Sequence, residues 1–188
     1  FKSKSLTTIM TKLVNCKYRF GMTGTLDGTQ THRLVLEGLF GKVEKVTSTK
    51  ELMDKDTLAS LKIKCLVLKH KENECKEVKD LKYSDEMQYI VAHKTRNDFI
   101  SRLCDKLSGN TLCLYQLVEK HGLVLYNLMK DFDRKVFFIH GGTDTETREK
   151  IRAITEEETN AIIVASYGAF STGINIRNLH NVVFASPS

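Results

Sequence analysis

From Lys135 onward, short apolar runs alternate with longer polar stretches that carry a helical apolar repeat. KVFFIH (135–140) gives way to Gly141 and Gly142, TDTETREKIRAI follows, AIIVAS (161–166) comes next, and YGAFSTGINI leads to a last apolar run in NVVFAS. Apolar runs of this length bounded by turn residues predict buried strands, and the segment between them predicts an amphipathic helix. Thr143 and Glu146 have capping-box spacing, which predicts a helix start at this point. Glycines without Cβ just ahead of a helix N-terminus let an anion approach its unpaired N–H groups. The pattern continues upstream. NTLCLYQ (110–116) predicts a buried strand, HGLVLYNLMKDF the helix after it, and EMQYIVAHKTRNDFISRLCDKL one or two amphipathic helices. Such alternation predicts an α/β fold, a mostly parallel sheet with helices on its faces and right-handed crossovers. Ligands of open parallel sheets sit at the carboxyl ends of the strands, which places Tyr115 to Val118, His140 to Asp144 and Ser166 to Thr172 on one edge.

The amino-terminal part is less regular. SLTTIMTKLVNC predicts a helix, KYRFGMTGT a short strand, HRLVLEGLFG a helical segment and LKIKCLVLKH a β-rich return. KENECKEVKDLKYSDE (71–86) is almost wholly polar with no apolar period, as expected of a linker. The chain is therefore expected to divide into residues 1–70, a linker at 71–86, and a second domain at 87–188. Its single proline is Pro187, so glycines and polar turns must punctuate the rest.

Composition narrows the chemistry. The chain has 188 residues, 41% of them hydrophobic, enough for one good core or two small ones. No apolar run approaches the roughly 20 residues of a membrane span, so a soluble, cytoplasmic protein is expected. The formal charge of +6 favours a polyanionic partner, although solvated surface lysines explain it equally well. Five cysteines, an odd number with no C-x-x-C pair, argue against a disulfide framework or zinc knuckle and for reduced thiols. The absence of an initiator Met at Phe1 suggests a piece of a longer protein.

Several segments carry a family resemblance. GMTGTLDG (21–28) resembles motif III of superfamily 2 helicases, and LEGLFGKVEKVTSTKELMDKDTLASLKIKCLVL the exit from their first RecA-like domain. NTLCLYQLVEKHGLVLYNLM is similar to motif IV, HGGTDTETREKI to motif IVa, and IIVASYGAFSTGINIRNLHNVVFASPS to motifs V and Va. In order and spacing they are most similar to the UvsW-type recombination helicases of T4-like phages, over nearly the whole chain. The resemblance implies two incomplete RecA-like (P-loop NTPase-type) motor domains of an ATP-dependent helicase that works on branched or forked DNA. It implies DNA, single-stranded or branched, or else RNA, as partner, and ATP with Mg²⁺ as cofactors of the intact motor.

Within that resemblance, Thr23, Gly24 and Thr25 would couple the nucleotide site to domain closure. Gly141, Gly142, Thr143 and Arg148 would meet the nucleic-acid backbone, together with Gln116, Ser166 and Thr172. Gly173 and Asn175 would face the nucleotide ribose, although the family often has Asp where this chain has Asn175. Arg148 also reads as an ordinary solvated helix residue beside Lys150 and Arg152, and Gln116 as a solvated strand end. Missing from the sequence are a G-x-x-x-x-G-K-[ST] loop, a DEAD-like strand end and the Q-x-x-G-R-x-x-R element with its arginine finger. The chain alone is thus expected to hydrolyse no ATP, and it holds no catalytic residue. The competing class is a non-catalytic RecA-like module that binds nucleic acid or a protein partner.

Other residues carry little. His140 lacks a nucleophile at a telling spacing, and His93, His121 and His180 are too scattered to suggest a metal site. Glu156, Glu157 and Glu158 read as a solvated helix end. Phe137, Phe138, Phe170 and Phe184 read as core, and only Phe170 and Tyr167 lie in the loop where bases are within reach.

Overall fold

The computed structural model describes residues 4–23, 30–170 and 176–186. The chain forms two compact units, Phe1–Cys65 and Leu66–Ser188.

In the first unit, α1 (Lys4–Lys12), α2 (Gln30–Phe40) and α3 (Thr49–Asp54) are joined by irregular chain. Helix α2 ends at Gly41, whose φ of 87° is the left-handed conformation that closes helices, and its N–H donates to the Glu37 carbonyl at 2.9 Å. Helix α3 starts on a full capping box: the Glu51 amide donates to Ser48 Oγ at 3.2 Å and the Ser48 amide to Glu51 Oε2 at 3.2 Å. The strands expected at KYRFGMTGT and LKIKCLVLKH are not formed among the described residues. A strand exists only through a neighbour's hydrogen-bond ladder, and none is formed here among the described residues. Ile63 and Val67 accordingly stand 78% and 84% exposed.

The second unit starts with α4 (Glu72–Val78), α5 (Tyr83–Ala92) and α6 (Lys94–Lys106). The polar stretch expected to be a linker thus contains α4 and the first turn of α5. Helix α4 buries none of its residues, which is why its sequence shows no apolar period. Strands β1 (Thr111–Tyr115), β2 (Val136–Ile139), β3 (Ile162–Ser166) and β4 (Asn181–Phe184) form a fully parallel four-stranded sheet in the order β2-β3-β1-β4. A π-helical turn (Val118–Gly122) runs into α7 (Leu123–Met129), α8 (Thr145–Glu157) lies between β2 and β3, and the short α9 (Tyr167–Phe170) follows β3 directly.

Period-two alternation gives the sheet two buried faces. Cys113, Tyr115, Ile162 and Val164 pack with Ile100 and Cys104 of α6 and Leu125 and Met129 of α7. Leu112, Leu114, Ile163 and Ala165 pack on the other face with Ile139, Ile151 of α8 and Ala169 of α9. Helices therefore cover both faces, as the alternation predicts. Phe137 and Phe138 pack against these clusters, as does Phe170. Phe184 does not: it shares the face of its register partner Leu114, but β4 is an edge strand and the ring is left 70% exposed.

The amino edge of the sheet is tied by the buried Asn110 and the half-buried Arg134. The Asn110 amide nitrogen donates to the Thr155, Glu158 and Asn178 carbonyls at 2.9, 2.6 and 2.7 Å, while its oxygen accepts from the Ala161 amide at 2.7 Å. Arg134 gathers the Asp105, Leu107 and Gly109 carbonyls at 3.0, 3.1 and 2.9 Å.

Candidate nucleic-acid interface

Register places the carboxyl edge. Tyr115 pairs with Ser166, Ile139 with Ala165 and Leu114 with Phe184, so Gln116, His140, Ser166 and Ala185 come out on one side of the sheet. The structure thus brings together the β1, β2 and β3 termini that the sequence places there. Gln116 is exposed, and its amide donates to Ser186 Oγ at 3.2 Å, joining the ends of β1 and β4. Ser166 is 7% exposed, so only its margin faces the edge.

The Gly141–Gly142 loop is built mainly by its own residues. The Gly142 amide donates to His140 Nδ1 at 3.1 Å, the Thr143 amide to the His140 carbonyl at 3.0 Å, and the His140 amide to Thr143 Oγ1 at 3.0 Å. A Cβ at Gly142 would lie 2.9 Å from the His140 ring, whereas one at Gly141 would meet open space. A side chain at Gly142 would thus have to displace the His140 ring, whereas Gly141 keeps an open approach on the loop. Arg148 closes the loop from α8: its Nε donates to the Thr143 carbonyl at 2.9 Å and its Nη2 to the Gly141 and His140 carbonyls at 3.0 and 3.3 Å. Lys150, two residues on, pairs instead with Glu146 at 2.6 Å across one exposed turn.

The helix start departs from expectation. The N-cap of α8 is Asp144, not Thr143, and the capping box with Glu146 is not made. Asp144 Oδ1 accepts from the Thr147 amide at 2.8 Å and Oδ2 from the Thr147 hydroxyl at 2.8 Å. These bonds, the backbone one first, hold the Asp144 carboxyl below its ordinary range. Asp and Thr both cap well, and the charged one takes the place because it also meets the positive helix end. An anion at this loop would therefore meet Gly141 and the Thr143 hydroxyl, with the helix terminus already filled by a carboxylate.

Behind the edge lies a buried polar network. His121 Nδ1 is 2.8 Å from Ser186 Oγ and its Nε2 3.2 Å from Asn97 Oδ1, and Asn97 donates to the Val91 carbonyl at 2.8 Å. Burial, reinforced by the charge of Arg96, pushes the imidazole down to about 4, so it is neutral at pH 7. Tyr167, on the edge by sequence, turns inward and donates to the Ser186 carbonyl at 2.6 Å. Arg96 Nη1 is buried and has no hydrogen-bond partner among the described residues. The polar identity of Arg96, Asn97 and Ser186 is visible in the sequence, but not that Arg96 Nη2 donates to the Ala185 carbonyl 89 positions away.

Thr23 lies exposed in the first unit. Gly24, Thr25, Thr172, Gly173 and Asn175 lie outside the described residues. His180 is used locally, accepting from the Asn110 amide at 3.2 Å. His93, in contrast, meets Glu74 and His70, a residue with no distinguishing signal in the sequence, in a cluster whose ligand atoms all lie within 4.8 Å of one another. Chain folding here joins positions 23 residues apart, a proximity that the scatter of histidines along the sequence does not show.

Comparison with known proteins agrees with the motifs. The chain is 35% identical over 185 residues to the ATP-dependent DNA helicase uvsW of Enterobacteria phage T4, covering 97% of this chain and 37% of that protein. The crystal structure of T4 UvsW matches with a TM-score of 0.55 and 36% identity, over 62% of this chain and 24% of that one. This chain thus spans little more than a third of the curated relative it matches. No protein-family profile matches it. The resemblance to UvsW-type helicases and the RecA-like α/β character of the sheet both stand on these matches.

Proposed function

We propose that this chain is part of an ATP-dependent DNA helicase or translocase of superfamily 2 that acts on branched or forked DNA in recombination and repair. The observation that carries the proposal is the 97% coverage of the chain by a phage DNA helicase at 35% identity. The carboxyl edge of the sheet supports it.

In this reading the second unit is the moving half of a strand grip. Gly141, open to approach, and the Thr143 hydroxyl receive a backbone phosphate, while Arg148 holds the loop in shape by taking up its carbonyls. Gln116 reaches the same strand from β1, and Thr172 with Ser166 adds hydroxyl contacts from the β3 side. Gly142 serves the turn. Contacts of this kind are blind to base sequence, which suits an enzyme that recognises DNA structure. Gly173 and Asn175 face the nucleotide, and Thr23, Gly24 and Thr25 relay its state to domain closure. The exposed apolar residues of the first unit, Leu61 and Ile63 among them, are the surface that the rest of a first motor domain covers.

ATP and Mg²⁺ belong to the intact motor. The residues present here do not fit them alone, since no phosphate-gripping G-x-x-x-x-G-K-[ST] loop exists in the sequence. No hydrolytic step is assigned to this chain. Steady-state ATPase assays test the proposal: a protein that joins this chain to the remaining helicase motifs should show DNA-stimulated turnover, and the chain alone none. Robust turnover by the chain alone, or a joined motor indifferent to DNA, would contradict it.

A further inference from the structure

We infer that His70, Glu74 and His93 form a binding site for a transition-metal dication, of which Zn²⁺ is the natural candidate, that clips α4 to the corner between α5 and α6. Glu74 Oε2 lies 3.4 Å from His70 Nδ1 and 3.8 Å from His93 Nε2. Ligands about 2.1 Å from a tetrahedral zinc stand roughly 3.4 Å apart, so the first pair is already spaced for the ion and the second is about 0.4 Å wide. The rings of His70 and His93 meet edge to face with centroids 4.7 Å apart, and the His93 side chain is only 13% exposed. Two imidazoles and one carboxylate suit zinc, copper or nickel better than magnesium or calcium, and three protein ligands leave a fourth position for water.

Packing agrees with the geometry. The Lys71 backbone amide donates to Glu74 Oε2 at 3.3 Å and holds the carboxylate toward the two imidazoles. Helix α4 buries no residue of its own, and this cluster reaches from it to the α5–α6 corner. Tyr89 stands beside the site, its ring centroid 5.8 Å from that of His93. His93 also caps α6, with Nδ1 accepting from the Arg96 amide at 3.3 Å. That acceptor role leaves the ring proton on Nε2. When the metal binds Nε2, the proton relocates through solvent to Nδ1 and the Arg96 amide gives up its acceptor. Loading is therefore coupled to the start of α6.

Titration of the chain with Co²⁺ and Zn²⁺ at pH 7.5 tests the site. One ion per chain should bind, with Co²⁺ giving visible d–d bands and no near-ultraviolet thiolate charge transfer, because exposed Cys75 adjoins Glu74 without joining the cluster. Second-shell changes alone weaken metal sites about 10–100-fold, so Glu74→Gln and His70→Ala should each weaken binding at least tenfold. His93→Asn should do the same while keeping a good helix cap, which separates ligation from folding. Zn²⁺ should also protect the α4 region from trypsin. Unchanged affinity in Glu74→Gln and His93→Asn, or a thiolate band, would overturn the proposal.

Discussion

Arg148 shows how a charged side chain near a binding edge can serve the loop before the ligand. Its guanidinium fork holds three loop carbonyls. Arg148→Ala should therefore lower the stability of the second unit by about 1–3 kcal/mol in urea denaturation and speed hydrogen exchange at Gly142 and Thr143. Arg148→Lys should fail to restore it, since an ammonium cannot span three acceptors, and Lys150→Ala should change stability by no more than about 0.5 kcal/mol. His121 gives a pH signature. Its ring titrates near 6.5 when unfolded but is pushed down to about 4 in the fold. Between these values the unfolded chain binds more protons, so stability is complete above about pH 6.5 and falls as pH drops toward 4, by up to about 3 kcal/mol. Urea midpoints at pH 7.5 and 4.5 should show this slope, and His121→Gln should flatten it. Residue type was legible in the sequence at both sites. What stayed hidden was direction: Arg148 near two glycines looks free, and only the folded loop shows which carbonyls it reaches.

At the scale of elements, the buried strands and α5 to α8 were legible because burial on both faces forces continuous apolar runs and helices show their period. The helix start at 143 was misjudged by one residue, as two adjacent capping residues compete. The strands expected in the first unit fail for a different reason: their apolar content is real, but strand formation depends on partners that local sequence cannot reveal. The π-helical turn was also invisible, though it has a sharp test. A Cβ on Gly122 would stand 2.4 Å from the ring of Tyr115, which is fully buried and donates from its hydroxyl to the Ile139 carbonyl at 3.0 Å. Gly122→Ala should cost about 1–3 kcal/mol by overpacking. Trypsin should cut first at Lys62, Lys64 or Lys69, in exposed irregular chain, and release a stable fragment that carries the sheet. First cuts within β1 to β3 would contradict the division into units.

For the whole molecule, the candidate site was legible as an edge more than as contacts. Strand order and register bring Gln116, the Gly141 loop and Ser166 together as alternation predicts, whereas the inward turn of Tyr167 and the closure of the α8 terminus by Asp144 depend on packing. The net charge of +6 would draw DNA to many surfaces, so affinity alone does not separate an edge-specific grip from diffuse attraction. Amide chemical-shift mapping with a single-stranded oligonucleotide at about 150 mM salt, where weak surface attraction is screened, does separate them. Perturbations should centre on Gln116, Gly141 to Thr143 and Ser166 to Thr172, and should be the same for oligonucleotides of different sequence. Shifts spread over the lysines of both units, with the carboxyl edge unmoved, would contradict the account.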